Sequence, residues 1–267
     1  MSDEDDSEFM DEVTKDDVAV PGDAADPSWL VERKLPSDIL KKYEIYSYRS
    51  AVTILSESHA EQFEELLEAL RRFRISPDMI RRAGGNESEI PKEFSNFLRP
   101  RGWFETVIQG DLLVKLTAHA YGGMTDKGKE KWTKEVRELR RERYLDGHKV
   151  DYVKGRVAFD LEWNSKDQTF DRDLYAFSAF AQCGVIDVGV LVTRGESLTP
   201  FIRGLGQALT RKGEPEFKKD GSPRMIGDKF GASTTWMGKL LYRLNAGRNG
   251  ACPVLAVGIK PECVEES

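Results

Sequence analysis

Apolar residues along this chain keep two different periods, and the change from one to the other falls near residue 148. From His59 to Phe73 the spacing is helical: Phe63, Leu66, Leu67, Leu70 and Phe73 share one face, with Glu64, Glu65, Arg71 and Arg72 off it. Gly84-Gly85-Asn86 reads as a turn, and Glu89 to Leu98 as a short helix after it. The first half is therefore expected to be mainly helical. Asp126 to Arg141 is densely charged and fits either a helix or an exposed insertion. Beyond it the period becomes two. His148 to Val153 and Val157 to Asn164 read as strands flanking a Lys154-Gly155 turn. Asp171 is placed to cap a helix through Gly184 that turns Leu174, Phe177, Phe180 and Ala181 inward. Val185 to Thr193 follows as a buried strand, Thr234 to Asn245 as an amphipathic helix ended by Gly247, and Pro253 to Ile259 as a last strand. Strand-helix-strand units cross over right-handed and pair their strands in parallel. The expected fold is α/β: a mixed β-sheet flanked by helices, with a helical N-terminal half.

Charge divides the chain. Residues 1–26 hold eleven acids and one base, Lys15, for a net charge of −10, so the remainder carries +4 against an overall −6. Residues 1–28 are expected to be an acidic, disordered tail, and 29–267 a single folded domain. A mildly basic body permits nucleic-acid binding. Arg71, Arg72, Arg74, Arg81 and Arg82 read first as a solvated face and second as a phosphate-binding patch. No apolar run approaches the roughly 18 residues a membrane span needs, and the acidic N-terminus lacks a signal-peptide pattern, so a cytoplasmic location is expected. Three cysteines without CxxC spacing fit reduced thiols, with Cys183 and Cys252 as core residues. His59, His119 and His148 form no HExxH and read as structural. No GxxxxGK[ST] supports nucleotide chemistry.

The segment Val157-Ala-Phe-Asp-Leu-Glu-Trp-Asn164 carries the chemistry. Alternation puts Val157, Phe159, Leu161 and Trp163 on one face, and Ala158, Asp160, Glu162 and Asn164 on the other. Two carboxylates on one side of an apolar strand repel each other and are costly to bury without a cation. Mg²⁺ prefers such hard oxygen ligands. A two-residue turn at Lys154-Gly155 sets Asp151 opposite Ala158, with Asp160 its diagonal neighbour about 7–8 Å away. A bulge or a longer turn would bring Asp160 directly opposite Asp151. The acids alone fit equally a metal site and a solvated polar face on an edge hairpin.

A resemblance separates these readings. The run KVDYVKGRVAFDLEWNSKDQTFDRDLYAFSAF from Lys149, with VGVLVTR ending at Arg194, resembles the BglII and BstYI group of restriction endonucleases. So do GGNESEI (84–90), FGASTTWMGKLL (230–241) and GRNGACPVLAVGI (247–259), and the resemblance spans roughly residues 40 to 260. It implies the PD-(D/E)xK nuclease fold, Mg²⁺-dependent cleavage of double-stranded DNA as a homodimer, and a palindromic site with a GATC core. Here the signature proline is replaced by Val150, and no lysine closes the motif. The signature fits as Asp151, Asp160 and Glu162, resembling the BamHI variant, or as Asp151, Glu162 and Asn164, resembling the BglII variant. Spacing favours the first and the E-x-amide pattern the second. Glu105 is similar in position to an upstream helical glutamate that supports metal binding in such enzymes. Lys166, Arg172 and Asp173 follow the catalytic strand where base contacts are expected, with helix initiation and solvation as their other readings. Ser233, Thr234 and Thr235 fit either DNA contact or capping of the next helix. Asn86 and Lys239 complete the expected DNA surface. The rival functions are a repair or nicking nuclease on the same fold and a non-catalytic DNA-binding protein.

Overall fold

The computed structural model describes residues 23–82, 89–231 and 233–265. The first 22 residues of the acidic tail, the Gly84-Gly85-Asn86 turn and Asn86 as a DNA contact lie outside the described residues. In the N-terminal part α1 (Ser28–Lys34) and α2 (Ser37–Lys42) lead into β1 (Tyr43–Tyr48), followed by α3 (Ala51–Ser58), α4 (Ala60–Arg72), α5 (Pro77–Arg81) and α6 (Glu89–Leu98). Two long strands follow, β2 (Phe104–Met124) and β3 (Glu130–Lys154), then β4 (Val157–Glu162), α7 (Thr169–Gln182) and β5 (Val188–Arg194). The chain ends with α8 (Leu198–Gly204), α9 (Ile226–Lys229), α10 (Met237–Asn245) and β6 (Val254–Ile259).

Six strands form one sheet in the order β1-β6-β5-β4-β3-β2. The inner strands β4, β5 and β6 are parallel, while β1 and the β3–β2 pair join antiparallel at the two sides. This is the mixed sheet expected from the alternation of strand and helix patterns. Parallel strands are covered on both faces, and every residue of β4, β5 and β6 is buried. Val157, Phe159, Leu161 and Trp163 pack with Phe63, Leu66 and Phe94 of the N-terminal helices. Ala158, Leu191 and Ala256 face Phe170, Phe177 and Leu240 of α7 and α10. Gly189 lets α7 lie close: a Cβ there would stand 2.3 Å from the Phe177 ring.

Several local expectations change. The charged stretch 126–141 is not a helix; it is exposed, as the second alternative had it, and forms the outer part of the β2–β3 ribbon, whose charges project into solvent from both faces. The turn after β3 is Gly155-Arg156, not Lys154-Gly155, because Lys154 pairs with Val157. Gly155 takes φ +58° at the first central position, where a II′-type hairpin favours glycine. Lys154 stays in the strand, its ammonium 2.7 Å from Glu61 and 2.8 Å from Glu65. Asp171 is not a cap. It lies within the first turn of α7 and binds Arg243 at 2.9 Å and Arg248. Cys183 is exposed where α7 ends, whereas Cys252 and Cys263 are buried. The arginine cluster is occupied by its own neighbours: Arg71 by Asp38, Arg72 by Glu68, Arg74 by Glu265, and Arg81 and Arg82 by Asp78. Asp26, at the end of the acidic segment, is fastened to the body through the Ser47 hydroxyl and the Ser50 amide.

Candidate active site

The one-residue change in the turn aligns the acids. With Val153 opposite Ala158 and Tyr152 opposite Phe159, the next step of the register brings Asp151 to Asp160. The Asp151 amide donates to Asp160 Oδ1 at 2.7 Å, and the Leu161 amide donates to Asp151 Oδ2 at 3.2 Å. On its other edge β3 carries a bulge. Phe104 pairs with Val153 and Thr106 with Val150, so Asp151 and Tyr152 together oppose Glu105. A bulge re-aims side chains. Val150 and Val153 therefore both face α7, while Tyr152 enters the opposite core.

That geometry adds two residues to the acid site. His148, on the α7 side with Val150, offers a nitrogen within 4.8 Å of ligand oxygens of both Asp160 and Asp173. Its Nε2 stands 3.4 Å from Asp173 Oδ1. Asp160, Glu162 and Asp173 are 4%, 8% and 1% exposed, and one carboxylate oxygen of each is buried without a hydrogen bond. Burial, reinforced by the neighbouring acids, holds the Asp160 carboxyl well above the usual carboxylate range and pushes Glu162 up to about 7. Burial raises Asp151 as well. Orphaned buried carboxylate oxygens are costly. The donor set, hard oxygens with one imidazole, fits a divalent cation.

The end of β4 is fixed from below. Thr193 and Thr235 hydroxyls donate to the Glu162 carbonyl at 2.8 and 3.1 Å. Arg194 is fully buried and donates to the Trp163 carbonyl at 2.9 Å, to Thr234 Oγ1 at 2.7 Å and to the Thr235 carbonyl at 2.5 Å. Thr235 thus has no exposed surface, Thr234 is turned to Arg194, and neither caps α10, which starts at Met237. Asp173 is likewise enclosed beside Asp160 rather than displayed on the surface. Lys166 and Ser233 are exposed. Lys239 is held by Asp167 at 2.5 Å, and Asn164 Nδ2 reaches the Lys229 carbonyl at 3.3 Å, away from the acid cluster. Glu105 stands on β2, not on a helix, and pairs with Lys149 at 2.8 Å.

Two clefts meet at Asp151. One, of about 750 Å³, runs beside α6 past Lys92, Ser95, Arg99 and Glu105. The other, of about 410 Å³, opens between β3 and α7 past His148, Arg172 and Tyr175. Arg172 closes the second over the acids, 3.2 Å from Asp173 and 3.8 Å from Glu162.

Asp173 had a signal in the sequence: it is the one acid on the inward α7 stripe of Phe170, Leu174 and Phe177. His148 had none, because strict alternation places it on the face opposite Asp151 and only the bulge brings the two together.

A mixed sheet that delivers paired acids from an antiparallel hairpin to the end of a parallel strand defines a nuclease with the restriction-endonuclease fold. The sequence comparison narrows this to one group. The family model for restriction endonuclease BglII/BglIII matches residues 43–259, from the first residue of β1 to the last of β6. The chain belongs to that family and is a type II site-specific deoxyribonuclease. No individual curated protein matches the chain.

Proposed function

We propose that the enzyme hydrolyses both strands of double-stranded DNA within a GATC-containing palindrome, acting as a homodimer with Mg²⁺ and leaving 5′-phosphate and 3′-hydroxyl ends. The observation that carries the metal reading is the set of buried, unpartnered oxygens on Asp160, Glu162 and Asp173. Asp151 and Asp160 would hold the ion with Glu162, and His148 and Asp173 stand ready on its α7 side. The ion supplies positive charge beside the scissile phosphate and makes water more acidic. Glu162, at the end of β4 beside the other acids, is placed either to ligate the ion or to orient the attacking water. Arg172 and Lys149 flank Asp151 as charge for the phosphate oxygens. Lys166 and Ser233 supply exposed donors for the duplex beyond the hairpin. Asn164 hydrogen-bonds and has no capacity to act as a base.

Concerted cutting of a palindrome requires two copies related by a two-fold axis. Among the described residues no helix is long and apolar enough to cross a membrane, and a cytoplasmic site of action suits an enzyme acting on intracellular DNA. The test is digestion of phage DNA with Mg²⁺ or with EDTA, followed by sequencing of fragment ends. Discrete fragments with uniform termini are expected with Mg²⁺ only. Fragmentation that survives chelation, or single-strand nicks alone, overturns this reading.

A further inference from the structure

Three elements each bring one group to the α7 side of the acid hairpin: His148 from β3, Asp160 from β4 and Asp173 from α7. One ligand atom of each lies within 4.8 Å of those of the other two. All three residues also leave a buried polar atom without a hydrogen bond: His148 Nε2, Asp160 Oδ2 and Asp173 Oδ2. Arg172, itself mostly exposed, answers Asp173 Oδ1 at 3.2 Å and leaves Oδ2 unmet. Polar atoms buried to this depth are costly unless something bonds them.

The donor types decide what could meet them. Carboxylates suit any divalent cation, but an imidazole nitrogen suits transition metals, whereas Mg²⁺ takes oxygen ligands and water. His148 Nε2 and Asp173 Oδ1 stand 3.4 Å apart. Two tetrahedral ligands about 2.0–2.1 Å from a zinc ion are separated by about 3.3–3.5 Å. Three protein ligands leave a further position open. The cleft of about 410 Å³ lined by His148 and Arg172 connects that position to solvent.

We propose that His148, Asp160 and Asp173 form a binding site for a divalent transition-metal ion, with Zn²⁺ and Co²⁺ preferred to Mg²⁺. Its ligands differ from the Asp151, Asp160 and Glu162 set except for Asp160, and it stands whether or not that set binds Mg²⁺. Both sets draw on Asp160 Oδ2, because Oδ1 is taken by the Asp151 amide.

Metal binding to the untagged full chain, without DNA, tests the site. Protein stripped with EDTA and moved into chelator-free buffer is titrated with Zn²⁺ while the ring protons of its three histidines are followed by NMR. A single equivalent should shift one set of ring signals, the set missing from His148→Gln, and leave those of His59 and His119 in place. Co²⁺ should bind at the same position and be displaced by Zn²⁺, but not by an equal concentration of Mg²⁺.

Calorimetry on variants then separates the two ligand sets. His148→Gln and Asp173→Asn should each weaken Zn²⁺ binding at least about 10-fold, since even the hydrogen-bond partners of metal ligands are worth that much. Asp151→Asn, which alters only the hairpin set, should weaken it far less. Equal losses in Asp151→Asn and His148→Gln would overturn a separate site, as would tighter binding of Mg²⁺ than of Zn²⁺. If the three groups instead share a proton among themselves, added Zn²⁺ leaves the His148 signals where they were, or moves only those of His59 or His119, and the proposal fails. That reading comes from the unaltered chain, so it holds even if Asp173→Asn does not fold. Each of these failures leaves Mg²⁺-dependent cleavage to be decided by the digestion experiment alone.

Discussion

Asp151 and Asp160 are tied to each other's strands: the backbone amide of Asp151 donates to the Asp160 carboxylate, and the Asp151 carboxylate accepts the amide next to Asp160. Each acid spends one oxygen on fixing the hairpin. Asp160 keeps its second oxygen buried and unpartnered. The pair is therefore a rigid clasp with a remaining charge to be met from outside.

Replacing Asp160 by Asn keeps an acceptor for the Asp151 amide and removes the charge. Cleavage should fall at least about 10³-fold in turnover assays, while the fold and specific DNA binding, read by circular dichroism and gel shift, persist. Near-normal turnover would take Asp160 out of the metal set and leave Asp151 and Glu162 to hold the ion.

The raised carboxyls make the metal-free protein sensitive to pH. Glu162 and Asp160 hold their protons more tightly folded than unfolded. Wherever the folded state binds more protons, stability falls as pH rises. For Glu162 this window runs from its ordinary value of 4.5 to about 7. The Tm of EDTA-treated protein should decline across that interval, and stabilisation by Mg²⁺ should grow across it. Substituting Glu162→Gln should flatten both trends. A metal-free Tm that instead climbs from pH 4.5 to 7, with no Glu162→Gln effect, would show that this carboxyl ionises freely in the fold.

Arg194 supports the site from below through the Trp163 and Thr235 carbonyls. Arg194→Met leaves those acceptors buried without a donor, at a cost of roughly 2–4 kcal/mol. Urea denaturation should show that loss. Even at temperatures where the variant is folded, kcat should drop, since the β4 terminus that carries Glu162 loses its anchor. Unchanged kcat in the folded variant would confine Arg194 to stability.

Salt and the tail give a fourth test. If each dimer neutralises about 6–10 phosphates, affinity should fall roughly 10³–10⁵-fold between 50 and 200 mM salt. Removing residues 1–26 deletes ten net negative charges and should raise nonspecific DNA affinity while leaving the cleavage position unchanged. Equal low-salt binding by the two proteins would show that the tail does not screen the DNA surface.

The helices at α4 and α6 and the alternation of β4 were readable because their patterns are local: apolar stripes at helical spacing, and acids alternating with Val157, Phe159 and Leu161. β1 was hidden in the helical half, since its strand character depends on pairing with β6, more than 200 residues away in sequence. The ribbon at 126–141 gave no period because an exposed ribbon has no buried face to impose one. The acid pair was legible, yet its register turned on which residue takes the positive φ at Gly155. His148 depended on a bulge, which is a property of two strands together and of neither alone.

That bulge also sets how the ribbon joins the site. β3 runs without interruption from the tip of the ribbon to Lys154, so one continuous backbone carries the outermost part of the molecule and the catalytic hairpin. Register breaks lie opposite Gly110, near the ribbon's root, and opposite Glu105, beside Asp151. Between these two joints sit Lys149 and His148. A one-residue insertion or deletion between these joints would turn the ribbon's two faces over relative to the acids, so ribbon and acids share one frame of register.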